Sequence, residues 1–183
     1  MLWSQTDLVE ATAGDLLGDW GNDGITGVSI DSRTIKPNEL FVAIKGKRDG
    51  HDFINDAIRL GAKAALVDHV PLEISPNTPL VLVSCVQTAL ENLAKHRRKR
   101  SQAKLVAITG SVGKTSSKNM LKTILELQGK THAAPASFNN YLGVPLTLAN
   151  LPMDATYAVV EIGMNKPGEI EPLAKMTSAD VVF

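Results

Sequence analysis

An apolar strand that runs directly into a glycine-bracketed turn places the strongest constraint on the fold of this chain. Residues 105–108 are apolar and largely branched, glycines stand at both ends of 110–113, and Lys114 and Thr115 open a helix-compatible segment. The two glycines let the backbone curl so that successive N–H groups point at a common centre. The helix directs the positive end of its dipole at the same centre. This order of elements is typical of a phosphate-binding P-loop.

The loop has the short form of this motif. The general pattern has glycine five residues before the Gly-Lys pair, where this chain has Ile108. An ordinary glycine turn with a surface lysine is the alternative, and the preceding strand favours a nucleotide-phosphate site. Lys114 is predicted to act on the outer phosphates, and the Thr115 hydroxyl to bind Mg²⁺. The residues predicted to bind the nucleotide phosphates are Gly110, Ser111, Val112, Gly113, Lys114, Thr115 and Ser116.

Composition narrows the range of partners and locations. The chain has 19 basic and 19 acidic residues, which does not favour a nucleic-acid partner. It has neither an apolar run of membrane-spanning length nor a signal-peptide pattern at its start, so we expect a cytoplasmic protein that is not inserted in a membrane. We also expect a monomer. The single cysteine, Cys85, follows an apolar run and is predicted to be a buried core thiol.

Strand and helix patterns alternate along the chain, which predicts an α/β fold. A small α/β domain is expected over residues 1–100, beginning with a helix over 2–17 that is capped by Ser4. Residues 101–183 are predicted to form part of a P-loop domain with a mainly parallel sheet. Its last strand has no following helix to cover it, so we expect this domain to be truncated.

Two basic segments invite a functional interpretation. The loop 45–50 holds three cations and two glycines, and it is either a solvated turn or an anion-binding loop. The run 95–100 is interpreted as a solvated helix end, since cations there complement the helix dipole. His96, within that run, and His132 are both predicted to be structural.

Polar residues at the ends of later elements complete the predicted site. Glu161 closes an apolar strand, and an acidic residue at the carboxyl edge of a P-loop sheet is a Mg²⁺ ligand. Asn139, Asn140 and Asn165 fall in loops expected at the same edge. Asparagine in a loop is more often turn chemistry than a ligand.

These residues lie in strings that resemble the motifs of the Mur ligase family. The strings cover most of the chain in the family's order, and the short P-loop form is the family's own. They are 31–33 (DSR), 40–46 (LFVAIKG), 49–53 (DGHDF), 109–116 (TGSVGKTS), 137–146 (SFNNYLGVPL) and 161–170 (EIGMNKPGEI).

The resemblance implies an ATP-dependent amide ligase of peptidoglycan synthesis. The γ-phosphoryl of ATP would pass to the terminal carboxylate of UDP-MurNAc-tripeptide, and the amine of D-Ala-D-Ala would attack the acyl phosphate and release phosphate. Lys114 would be catalytic, and Thr115 and Glu161 would hold Mg²⁺. The residues implied to bind substrate are Ser32, Arg33, Lys45, Gly46, Asn139 and Asn140.

The chain also departs from the family. Lys166 stands where the family often has histidine, so that histidine's role cannot be carried over. The family's later metal ligands and its C-terminal domain, which supplies the adenine contacts and the dipeptide site, would lie beyond Phe183. We therefore expect this chain alone to be inactive.

Three other functions remain open. The first is a sister enzyme, either the Mur ligase that adds the third residue or folylpolyglutamate synthetase. The second is a non-catalytic nucleotide-binding remnant. The third, a P-loop GTPase or kinase, is disfavoured because the chain has no guanine-specifying Asn-Lys-x-Asp string.

Overall fold

The computed structural model describes residues 1–164 and 168–183, so that the predicted positions Asn165 and Lys166 lie outside the described residues. The chain divides into two compact units, Met1–Leu93 and Ala94–Phe183. The division falls inside a helix that ends at Arg100, the residue at which the sequence predicts the domain boundary.

The N-terminal unit contains one five-stranded sheet and short helices. Its strands lie in the order β1-β5-β4-β3-β2, all parallel except β1, which is antiparallel to β5. Two 3₁₀ helices, Ser32–Thr34 and Gly50–Phe53, follow β2 and β3. In chain order the other elements are α1 (Gln5–Thr12), β1 (Asp15–Leu17), β2 (Gly27–Ser29), β3 (Glu39–Val42), α2 (Ile54–Arg59), β4 (Ala64–Val67), β5 (Leu80–Leu82) and α3 (Val86–Arg100), which continues into the second unit.

The middle of this sheet is apolar on both faces. Every residue of β4 is buried, as is typical of a parallel strand covered on each side. Phe41 of β3 and Ile54 and Ala57 of α2 pack in the same apolar cluster. The prediction of a small N-terminal α/β unit is therefore confirmed.

The predicted helix over residues 2–17 is wrong in its second half. Ser4 and Asp7 form the expected capping box, but α1 ends at Thr12 because Ala13 adopts a left-handed conformation. Residues 15–17 instead pair with β5 as strand β1. Pairing with a distant strand overrides the helical pattern here.

The C-terminal unit contains a four-stranded sheet in the order β7-β8-β6-β9, and every pair of neighbouring strands is parallel. Its core combines the inner faces of β6 and β8 with apolar residues of three helices. These strands confirm the mainly parallel sheet. In chain order its elements are β6 (Lys104–Ile108), α4 (Lys114–Glu126), β7 (Thr131–Ala133), α5 (Gly143–Ala149), β8 (Tyr157–Glu161), α6 (Ile170–Thr177) and β9 (Val181–Val182).

Cys85 is exposed, so its prediction as a core thiol is wrong. Strand β5 ends at Leu82, and Cys85 lies directly before α3, where its carbonyl accepts the N–H of Ala89 at 3.0 Å. Hydrogen bonds from Thr88 lower the pKa of the Cys85 thiol.

The basic run is not uniformly solvated, as the sequence suggested. Arg97 is buried, and its Nε donates to the carbonyl of Leu151 at 2.6 Å. Nε of Arg98 donates to the carbonyl of Thr177 at 2.8 Å. Both acceptors lie at or just beyond the end of a helix, where carbonyls lack intrahelical partners, so these arginines hold the unit together.

Among the described residues no helix is both long and apolar enough to cross a membrane.

Candidate phosphate-binding site

The polar groups of the predicted site meet at the carboxyl edge of the C-terminal sheet. Strands β6 and β8 are parallel neighbours, and Ile108, the last residue of β6, is in register with Glu161, the last residue of β8. The loop that follows β6 therefore begins beside Glu161. This placement is the one expected for ligand sites in open parallel sheets.

The glycine loop between β6 and α4 has the predicted curled backbone. Gly110 and Gly113 have φ values of +139° and +78°. A side chain at either position would be strained by this backbone conformation. Lys114 begins α4, and its Nζ donates to the carbonyl of Gly110 at 2.7 Å. The lysine thus folds back over the loop, close to where an anion bound by the loop would lie.

A network of short hydrogen bonds joins the start of α4 to Glu161. The Thr115 hydroxyl donates to Oε2 of Glu161 at 2.9 Å, and Nδ2 of Asn139 donates to Oε1 at 2.7 Å. The Thr115 oxygen also lies 3.0 Å from Oγ of Ser137. Glu161 is buried, only 2% exposed. A buried carboxylate with both oxygens occupied is held in one orientation.

This donor set fits a hard divalent cation. Two hydroxyl oxygens and one carboxylate converge, and oxygen ligands are those that Mg²⁺ prefers. The cluster consists of Thr115, Glu161 and Ser137. Mg²⁺ held there would neutralise negative charge on the phosphates of a bound nucleotide. Ser137 was not singled out in the sequence, because 22 residues separate it from Thr115 and no spacing rule connects them.

Lys118 is a second residue that the sequence did not reveal. It lies one turn into α4 and is fully buried, and its Nζ donates to the carbonyls of Ala134 and Ala136, each at 2.9 Å. These carbonyls belong to the segment that carries Ser137 and Asn139. Lys118 therefore ties this segment to the helix that begins at the glycine loop.

The two predicted asparagines have different surroundings. Asn139 contacts Glu161, and its backbone carbonyl accepts the N–H of Gly163 at 2.6 Å. Oδ1 of Asn140 instead accepts the N–H groups of Leu142 and Gly143, at the start of α5. Its Oδ1 atom thus takes part in turn chemistry. His132 is half-buried beside the carbonyl of Thr147, and desolvation lowers its pKa, as expected for a structural histidine.

The predicted substrate residues of the N-terminal unit share the carboxyl edge of its own sheet. Ser32 and Arg33 follow β2, Lys45 and Gly46 follow β3, and these strands are parallel neighbours. Ser32 is buried, whereas Arg33 and Lys45 are exposed. The structure thus brings all four to one edge.

Both exposed cations at this edge have acidic neighbours. The guanidinium of Arg33 donates to both carboxylate oxygens of Asp31, at 2.9 and 2.7 Å, which lowers the pKa of Asp31 and raises that of Arg33. Nζ of Lys45 lies 3.8 Å from Asp49. Lys45 and Asp49 also form an isolated β-bridge, so the 45–50 loop is folded as a tight turn. Its anion-binding role stays a prediction.

A parallel sheet, a glycine loop at a helix N-terminus and a carboxylate on the adjacent strand define the C-terminal unit as a P-loop domain. The chain matches two models of known protein families. One is described as "Mur ligase family, catalytic domain" and matches residues 24–103, and the other is described as "Mur ligase middle domain" and matches residues 108–183. The chain belongs to the Mur ligase family, whose members are ATP-dependent ligases.

Relatives named UDP-N-acetylmuramoyl-tripeptide–D-alanyl-D-alanine ligase are similar to this chain. The protein of Rickettsia prowazekii is 42% identical over 156 residues, which are 85% of this chain and 34% of that protein. The protein of Escherichia coli is 39% identical over 179 residues, 97% of this chain and 38% of that protein. The chain therefore spans little more than a third of the length of these relatives.

Solved structures show the same fold. A crystal structure of MurF from Acinetobacter baumannii matches with a TM-score of 0.84 and 32% identity, over 98% of this chain and 40% of that one. MurF from Thermotoga maritima in complex with ADP matches with a TM-score of 0.66 and 30% identity, over 82% of this chain and 35% of that one. The α/β architecture predicted from the sequence is thus confirmed.

Proposed function

We propose that this chain is part of an ATP-dependent ligase that joins D-Ala-D-Ala to UDP-MurNAc-tripeptide. The contact between Thr115 and Glu161 is the observation that carries the proposal, because it combines the glycine loop and an acidic strand end in one cluster. The names of the relatives from Rickettsia prowazekii and Escherichia coli support the choice of substrates.

In the proposed reaction the tripeptide's terminal carboxylate attacks the γ-phosphorus of ATP, and ADP leaves. The amine of D-Ala-D-Ala then attacks the acyl carbon, loses a proton and expels phosphate, which forms the amide. The N–H groups of residues 110–116 would hold the phosphates. Lys114 would exchange the carbonyl of Gly110 for the transferring phosphoryl group and stabilise its charge.

The remaining roles are assigned by position. Thr115 and Glu161 would hold Mg²⁺, with Ser137 beside them. Asn139 and Asn140 would line the substrate side of this edge. The uridine nucleotide would bind in the N-terminal unit, at Ser32, Arg33, Lys45 and Gly46. These assignments follow from the family's motifs and from the edges at which the structure places the residues.

We also propose that the 183-residue chain binds nucleotide without turning it over. It spans 34–40% of the length of the relatives that it matches. Phosphate release from ATP that needs both UDP-MurNAc-tripeptide and D-Ala-D-Ala would contradict this statement. Binding without release agrees with it.

Calorimetric titration tests the phosphate site itself. We expect the chain to bind a non-hydrolysable ATP analogue more tightly with Mg²⁺ than without, and tripolyphosphate to compete, because the loop contacts phosphates. Glu161→Gln should remove most of the Mg²⁺-dependent gain. Glu126→Gln, on the exposed part of α4, is the matched control and should retain it. Equal Mg²⁺ dependence in both variants would refute the site.

A further inference from the structure

Two histidines and an aspartate converge at the carboxyl edge of the N-terminal sheet, in the unit that does not contain the phosphate loop. His51 lies in the 3₁₀ helix after β3, and Asp68 and His69 directly follow β4. One ligand atom from each of the three lies within 4.8 Å of the other two. Strands β3 and β4 pair in register, which fixes where these residues meet.

The separations suit a small tetrahedral metal site. Nε2 of His51 lies 3.3 Å from Oδ1 of Asp68. Ligands bound to zinc at about 2.0–2.1 Å in a tetrahedron lie roughly 3.3–3.4 Å apart, so this pair already has the required spacing. Nδ1 of His69 lies 2.7 Å from the same oxygen, and its ring stacks on that of His51 at 4.1 Å. The His69 side chain is 57% exposed and can move by the few tenths of an ångström needed.

The hydrogen bonds of His51 prepare its ring for coordination. Nδ1 lies 2.7 Å from Oδ1 of Asp49, and the backbone N–H of Asp68 donates to Nε2 at 3.3 Å. The proton therefore belongs on Nδ1, and the lone pair of Nε2 accepts the Asp68 N–H, a long bond that coordination to a metal would replace. A carboxylate behind a histidine that binds metal is a recurrent arrangement in metalloproteins. The side chain of His51 is only 4% exposed, so its orientation is fixed by packing.

In this tautomer the Nε2 lone pair and Oδ1 of Asp68 are both acceptors that already have partners. Nε2 accepts the N–H of Asp68 at 3.3 Å, and Oδ1 lies 2.7 Å from Nδ1 of His69. A metal ion bound to both atoms would replace these hydrogen bonds with two coordination bonds. Imidazole nitrogens favour zinc-like metals over Mg²⁺ or Ca²⁺.

We propose that His51, Asp68 and His69 form a binding site for a divalent transition metal of the zinc type. Asp49 is the residue that orients His51. Asp68 and His69 are partly exposed, so the fourth coordination position opens to solvent and can be taken by water. The site is separate from the proposed Mg²⁺ cluster, which lies in the other unit and offers only oxygen ligands.

Zinc titration of the purified, metal-free 183-residue chain tests this proposal. We expect calorimetry to show one Zn²⁺ bound per chain. Co²⁺ bound in its place should give the visible absorption bands of a tetrahedral complex, without the thiolate-to-cobalt charge-transfer band that a cysteine ligand would add. His69→Asn and Asp68→Asn should each weaken Zn²⁺ binding about tenfold or more, the size of effect seen when groups of a metal site are removed. Both positions are partly exposed, so the variants should fold.

The controls separate this site from adventitious binding. His96→Asn removes a histidine of α3 outside the cluster and should leave Zn²⁺ affinity unchanged. Asp49→Asn should weaken binding less than loss of a ligand does. The proposal is overturned if Zn²⁺ does not bind, if His69→Asn and Asp68→Asn bind like the parent chain, or if Cys85→Ser alone abolishes binding.

Discussion

Replacement of Lys118 by methionine removes a buried ammonium group while keeping most of the volume of the side chain. In the folded chain Nζ donates to two backbone carbonyls of the segment that leads to Ser137. We expect Lys118→Met to destabilise the C-terminal unit and to loosen this segment. The substitution isolates the polar contribution, because methionine is similar to lysine in length and flexibility but has no charged group.

The magnitude follows from what becomes of each carbonyl. The Ala134 bond is buried, and leaving a buried acceptor unsatisfied costs about 1–3 kcal/mol. The Ala136 bond is only partly buried, so water can replace the ammonium there. Burying the ammonium itself has a desolvation cost that the variant avoids. Together these effects predict a net loss of about 1–2 kcal/mol in the free energy of unfolding.

Amide hydrogen exchange of the C-terminal strands is the appropriate assay, since it reports on this unit separately. The slowly exchanging amides of β6 and β8 should exchange faster, by the factor that the lower free energy of unfolding predicts. The N–H of Gly163, which donates to the carbonyl of Asn139, should lose still more protection. Lys122→Met, one turn further along α4, is the control. Its salt bridge with Glu126 is half-exposed, so we expect a change of about 0.5 kcal/mol or less. Equal, small effects of the two substitutions would refute the reasoning.

Two further predictions concern acid stability and backbone packing. The N–H of Leu105 and two neighbouring cations hold the pKa of Asp180 below its ordinary value, so the stability it contributes is present above a pH of about 4 and is lost as the pH falls through the lowered value. Asp180→Asn should therefore lower stability at neutral pH and reduce the further loss in acid. Lys130 lowers the pKa of Asp154 as well, but this ion pair is exposed and screened by solvent, so Asp154→Asn should show both effects much more weakly. Urea unfolding at pH values on both sides of 4 measures this. A Cβ on Gly50 would lie 2.6 Å from the backbone after β3, so Gly50→Ala should destabilise the N-terminal unit by about 2 kcal/mol or more in tryptophan-monitored unfolding. A Cβ on Gly46 would have no neighbour closer than 3.9 Å, so Gly46→Ala should leave the stability of the chain unchanged. The same substitution should weaken UDP-MurNAc-tripeptide binding if the proposed role of Gly46 is correct.

The phosphate loop could be predicted from the sequence because its determinants are local. A strand, two glycines and a helix start fix the position of Lys114 and Thr115 within a few residues. Glu161 could be assigned to the same site from the rule that parallel strands end at one edge of a sheet. The register of β6 with β8 places Glu161 beside the start of the phosphate loop. Ser137 and Lys118 were missed because their contacts depend on how a loop of irregular structure returns to the helix. Periodicity carries no information about such a path.

The errors elsewhere have the same origin. Residues 15–17 have apolar positions compatible with a helix, and only the available edge of β5 makes them a strand. Cys85 was grouped with the preceding apolar run, but that strand ends three residues earlier, at Leu82. Arg97 and Arg98 look like solvated cations until the helix-end carbonyls of the same unit are located. In each case the deciding partner lies far away in sequence.

The cations at the two sheet edges are not equally ready to bind an anion. Lys114 donates to a neutral carbonyl, so a phosphate can replace that acceptor with a gain in charge complementarity. Arg33 already makes two hydrogen bonds to the Asp31 carboxylate, and an incoming diphosphate would meet a cation whose charge is largely compensated. Strong anion binding is therefore expected at the glycine loop. At the N-terminal edge, recognition of a uridine nucleotide has to rely more on neutral hydrogen bonds and on Lys45, whose carboxylate partner lies 3.8 Å away.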